Sequence, residues 1–146
     1  MGMITDQHWM QQALSLLTPS DEVPIAALVV YEDQIIGQGV NAPISCCDPT
    51  AHAEIIALRQ ASQHLGNYRL PGATLYVTLE PCMMCYGAMV HARIDRLVYA
   101  ASNPKQPVAT THWIEQAALN HRFQVTAGVC QQQAAVLLKR FFSTRR

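Results

Sequence analysis

The chain has 146 residues, half of them hydrophobic and 14% charged, with ten basic and ten acidic side chains. That length and composition allow a real core and exclude a disordered chain, and no apolar run approaches the roughly 20 residues that a membrane helix needs. A formal charge of zero at pH 7 does not by itself announce a nucleic-acid binder. A helix is expected over 6–17, where Trp9, Met10, Ala13, Leu14, Leu16 and Leu17 form an apolar stripe behind Asp6. Apolar, β-branched runs at 24–31 and 34–40 read as strands, with Glu32-Asp33 as the hairpin turn between them. A helix over 50–64 follows and ends near Gly66. Next come a buried strand at 73–79, a short helix at 83–92 and a strand at 96–101. A last strand is expected at 121–126 and a closing helix at 129–142. An antiparallel hairpin followed by helix–strand alternation implies an α/β domain spanning 1–146, with a mixed sheet and helices on both faces. No repeat, low-complexity tract or linker divides it.

The chemistry concentrates in His52-Ala53-Glu54 and, some thirty positions on, Pro81-Cys82-Met83-Met84-Cys85. Two cysteines three positions apart point to one metal when they open a helix, because such positions share a face. Pro81 suits a helix start, where its missing N–H costs nothing, and the positive end of the helix favours thiolate. Asp48-Pro49 makes a similar entrance ahead of His52, with Asp48 as cap and Pro49 at the first helical position. His52, Cys82 and Cys85 are three zinc ligands with no evident fourth, and a catalytic zinc keeps one of its four positions open for water. Glu54 stands where it could manage that water's protons, which points to hydrolysis rather than a closed structural site. One zinc per chain is expected.

The charge is unevenly spread. Residues 1–73 hold two basic and seven acidic side chains, and 74–146 hold eight basic and three acidic. The C-terminal run Lys139-Arg140-Phe141-Phe142-Ser143-Thr144-Arg145-Arg146 mixes cations, which can hold phosphates, with aromatic rings, which can stack on bases. A solvated basic helix end is the bland alternative. Five cysteines, two of them in the metal motif, fit a reducing compartment. With no basic-plus-apolar leader at the N-terminus, the cytoplasm is the expected location.

His-x-Glu…Pro-Cys-x-x-Cys is the signature of zinc nucleobase deaminases. The resemblance to bacterial tRNA-specific adenosine deaminases goes further. It includes Asp21-Glu22-Val23-Pro24, Gly37-Gln38-Gly39-Val40-Asn41, the segments at 48–60 and 74–85, Asn67-Tyr68-Arg69-Leu70, 87–94 and Asn120-His121-Arg122. It runs from about residue 9 to 146 and is poor over 102–116. It implies a cytidine-deaminase-like three-layer α/β/α sandwich with about five strands. It also implies that Glu54 shuttles protons, that the substrate is adenosine in a tRNA anticodon loop, and that the protein is a homodimer. Apolar Met83, Met84, Tyr86, Met89 and Val90 around the cysteine helix, more than one short helix needs for its own core, join the dimer reading. Asn41 would bind the base or its ribose, and the backbone of Ala53 and Pro81 would line the pocket. Val23, Pro24 and Leu79 would form apolar walls, and Phe142 and Arg145 in the tail would contact RNA.

The resemblance breaks where the family carries an Asp and then Lys-Thr-Gly-Ala. Here the chain reads Ser102-Asn103-Pro104-Lys105-Gln106-Pro107-Val108-Ala109-Thr110. Asn103 in place of the acid could relax sugar choice, so that single-stranded DNA becomes a weak substrate. The competing readings are a deaminase of a free base, nucleoside or nucleotide of the cytosine or guanine type, and a zinc-stabilised binding module. Intact Glu54 and the missing fourth ligand argue against the module. Glu80 is expected to accept backbone hydrogen bonds where strand becomes helix. His91 reads as a buried or interface histidine, and Cys46-Cys47 as free thiols in an oxidation-sensitive loop.

Overall fold

The computed structural model describes residues 4–103, 105 and 119–145. Among these residues the order is α1 (Asp6–Ser15), β1 (Ala26–Tyr31), β2 (Gln34–Val40), α2 (Ala53–Leu65), β3 (Thr74–Leu79), α3 (Met83–Ala92), β4 (Arg96–Ala101), β5 (Gln124–Thr126) and α4 (Gln131–Ser143). The five strands lie in the order β2-β1-β3-β4-β5. β1 is antiparallel to both β2 and β3, whereas β3, β4 and β5 are parallel. Alternate residues of β1 face opposite layers. Ala27 and Val29 pack with α2 and α3, whereas Ala26, Leu28 and Val30 pack with α1 and α4. The result is the expected three-layer α/β/α sandwich.

Local chemistry sets the joints. Glu32 and Asp33 both take positive φ, 50° and 58°, the two-residue turn whose twist suits a hairpin. Gly37 and Gly39 on β2 lie against α2: a methyl group on Gly37 would stand 2.2 Å from the Ala57 carbonyl, and one on Gly39 2.7 Å from that of Ala53. Asp6 binds Arg96 at 2.7 Å and accepts the Tyr76 hydroxyl at 2.8 Å, tying α1 to β3 and β4.

Several sequence expectations shift. α2 begins at Ala53 instead of residue 50, because the Asp48 side chain takes the Thr50 N–H and hydroxyl at 2.8 and 2.7 Å and forms a turn of its own. His52 is therefore the N-cap. The strand expected over 121–126 shortens to Gln124–Thr126. Tyr86, Met89 and Val90 belong to the chain's own core, leaving Met83 and Met84 as the exposed apolar side chains of α3, and His91 is exposed. Pro104, 106–118 and Arg146, and so most of the divergent 102–116 segment, lie outside the described residues.

Candidate metal centre and substrate cavity

The two halves of the motif meet because they open neighbouring helices. His52 and Cys82 are the extended N-caps of α2 and α3, with φ/ψ of −75°/154° and −76°/174°. Each cap carbonyl accepts the first helical bond, from Ile56 N–H at 3.1 Å and Tyr86 N–H at 3.0 Å. Cys85 lies one turn into α3. Its Sγ is 3.6 Å from His52 Nδ1, and that of Cys82 is 3.7 Å from the same atom. The three ligand atoms lie within 4.8 Å of one another, the only such cluster of three His, Cys, Asp or Glu among the described residues.

The donor set suits a borderline-soft divalent cation: one imidazole and two thiols, with both helix N-termini pointing at it. Hydrogen bonding from Cys85 draws the Cys82 thiol down to about 5, although burial opposes this, and the same contact pushes Cys85 up. A thiolate held beside a second sulfur and an imidazole nitrogen is a ready cation site. Glu54, in the first turn of α2, is 4% exposed. Burial pushes its carboxyl up to about 7, with the nearby Cys82 charge adding to this and a hydrogen bond from its own backbone opposing it. A carboxyl in that range can take and return a proton at neutral pH.

A cavity of about 630 Å³ opens at His52. Val23, Asn41, Leu79, Asn103 and Phe142 of the sequence-predicted set line it, together with His52. Asn41 is buried and lines the cavity, and its backbone N–H donates to the Ile25 carbonyl at 2.9 Å. Ala53 and Pro81 are buried beside the ligands and are not among the lining residues, and Pro24 lines an adjoining groove of about 340 Å³. Arg145 faces elsewhere: it binds the Ser20 carbonyl at 2.9 Å and Asp21 at 3.3 Å, with its guanidinium over Phe141 at 3.9 Å, so it latches α4 to the segment before β1. Asn103 forms a turn, its Oδ1 accepting Lys105 N–H at 2.9 Å.

The sequence reading missed Pro43, Lys105 and Lys139 at the cavity. Pro43 stands two residues after Asn41, in a loop whose ends are held together by Ala42 N–H to the Ala51 carbonyl at 2.9 Å. Its closeness to His52 follows from that pairing, which no spacing rule signals. Lys139 was visible as a cation one helical turn before Phe142.

The layered fold and the His/Cys/Cys cluster beside a buried carboxylate define a nucleobase-deaminase-class enzyme, and the family model of MafB19-like deaminases matches residues 4–146. A protein of Haemophilus influenzae named tRNA-specific adenosine deaminase is 44% identical over 147 residues, spanning 97% of this chain and 85% of that protein. A solved structure from a study of A-to-I editing by tRNA:A34 deaminases at the wobble position of transfer RNA is 40% identical, with a TM-score of 0.76, covering 88% of this chain and 92% of that one. The chain belongs to the tRNA-specific adenosine deaminase family. A guanine deaminase from Nitrosomonas europaea shares the fold more distantly, at 25% identity and a TM-score of 0.78 over 97% of this chain and 86% of that one.

Proposed function

We propose that this protein is a zinc-dependent hydrolase converting adenosine to inosine at the wobble position of a tRNA anticodon loop. The observation that carries the reading is the convergence of His52, Cys82 and Cys85 within 4.8 Å, next to buried Glu54. His52 Nδ1 and the two Sγ atoms would hold one zinc ion per chain. When bound, zinc in such a site makes water acidic enough to supply a nucleophile at neutral pH.

Everything else falls to the chain. Deamination of adenine needs attack at C6, a proton on the ring nitrogen and a proton on the departing ammonia. Glu54, poised at about 7, takes one proton from the attacking water and gives it to the ring nitrogen, then takes the second from the new C6 hydroxyl and gives it to the departing ammonia. Asn41 offers both a donor and an acceptor to the nucleoside. Val23 and Leu79 form apolar walls that exclude water from the base. Lys105 and Lys139 at the rim suit phosphates, and Phe142, 47% exposed, offers a face to a flanking base.

The base must be unstacked to enter, which favours a loop over a duplex. Single-stranded DNA is a weak second substrate on this reading, because neutral Asn103 adds no negative charge at the rim. The proposed homodimer would bury the apolar side chains that α3 leaves exposed, Met83 and Met84, which are 47 and 38% exposed. No helix among the described residues is long and apolar enough to cross a membrane, and the proposed tRNA substrate supports a cytoplasmic location.

The likeness to a guanine deaminase supports one competing reading, a free-base enzyme. The two separate when purified protein with about one zinc per chain is offered an anticodon stem-loop, free guanine and free cytosine. The proposal expects ammonia from the stem-loop alone. Turnover of a free base with an untouched stem-loop would replace it.

A further inference from the structure

Among the described residues Glu54 and Glu80 are the only buried carboxylates, and the chemistry above uses just one of them. Glu80 is 1% exposed. It follows β3 and lies two residues before Cys82, at the carboxyl ends of the parallel strands, where α/β folds bind ligands. Leu79 is paired with Ala101 across β3 and β4. Glu80 N–H then donates to the Ala101 carbonyl at 2.8 Å, and the Glu80 carboxylate accepts Asn103 N–H at 3.0 Å. A side chain thus supplies one more rung after the ladder ends. Asn103 in turn accepts Lys105 N–H at 2.9 Å, and both residues line the cavity.

We propose that Glu80 is a positioning residue that moors the cavity-lining residues Asn103 and Lys105 to the start of α3 and thereby sets substrate affinity. Burying a carboxylate is costly, and an apolar side chain would fill a plain core position at less cost. What an apolar side chain lacks is an acceptor for a strand-end N–H. Through one side chain, the segment leading into Cys82 and the rim residues Asn103 and Lys105 keep a fixed spacing.

The inference rests on the tRNA deaminase reading, and turnover of a stem-loop by the wild type tests that reading separately. The experiment measures kcat, KM for an anticodon stem-loop and zinc content for Glu80→Ala and Glu80→Gln. Glu80→Ala removes the rung and should raise KM about tenfold, with kcat within about threefold and zinc retained. Glu80→Gln keeps a carbonyl acceptor for Asn103 N–H and should restore most of that KM. Should the alanine variant fail to fold, Glu80→Asp, which withdraws the carboxylate by one methylene, must raise KM in its place. Loss of zinc and kcat with KM unchanged would make Glu80 a support of the ligand helix only. A glutamine variant as impaired in KM as alanine, or an unchanged KM in Glu80→Asp, would equally overturn the proposal.

Discussion

The close approach of α2 to β2 gives a sharp test of how the fold holds the site. A Cβ added at Gly39 would lie 2.7 Å from the Ala53 carbonyl oxygen and 2.8 Å from Ile56 Cβ. The carbonyl is backbone and cannot rotate aside, so the first turn of α2 must withdraw by several tenths of an ångström. Ala53 sits between His52 and Glu54, and both must move with it. Gly39→Ala should therefore lower stability by about 2 kcal/mol, the usual scale of overpacking. That is about 4–8 °C in Tm for a chain of this size. Misplacement of the reacting groups should cost more, about 10²-fold in kcat/KM. Gly37→Ala presses the middle of α2, 2.2 Å from the Ala57 carbonyl, and should cost more stability. Thermal melts, zinc content and stem-loop deamination for both variants are the assay. A Gly39→Ala protein with wild-type Tm and activity would refute the claim that this contact sets the position of His52 and Glu54.

Glu54→Ala should keep the zinc and a melting temperature at or above that of the wild type while losing more than about 10⁴-fold in kcat, since one carboxyl serves several proton transfers; equal loss of metal would make it structural. Asp6 is held below the usual carboxylate range by its hydrogen bonds with Arg96, with the Tyr76 hydroxyl a lesser contribution and burial opposing both. Its depressed folded value means the stabilisation is complete above the unfolded value of about 3.9 and disappears as pH falls through the folded one. Asp6→Asn should accordingly cost about 1–2 kcal/mol near pH 7 in chemical denaturation, with the gap closing below about pH 4. Light scattering should give twice the 16.2 kDa chain mass, and a monomer at micromolar concentration would contradict the dimer. Asn103→Asp restores an acid at the rim and should lower adenine deamination in a DNA hairpin more than in its RNA counterpart; an unchanged ratio would remove Asn103 from sugar choice.

The elements that sequence reading located well are those with a strong local cause. The helix over Met83–Ala92 and the strand over Arg96–Ala101 have the expected bounds, because a cysteine N-cap behind Pro81 and a run that is apolar after Arg96 leave few alternatives. The start of α2 was misplaced because Asp48 can cap a helix or close a turn on Thr50, and the sequence is the same in both cases. Arg145 reads as an RNA contact by charge, yet Asp21 is over a hundred residues away in sequence and nothing local announces their pairing. The His/Cys/Cys cluster was legible because its chemistry demands particular residue types, whereas part of the cavity's rim was not, since Pro43, Lys105 and Lys139 are brought to it only by the way loops and α4 close over the sheet.

The central claim is tested most directly by nucleoside mass spectrometry of a tRNA with adenosine at the wobble position, before and after treatment with the purified, zinc-loaded protein. The account predicts one inosine per tRNA at that position, one ammonia released and every other adenosine intact. Wobble adenosine left unchanged by a protein holding its full zinc would contradict it.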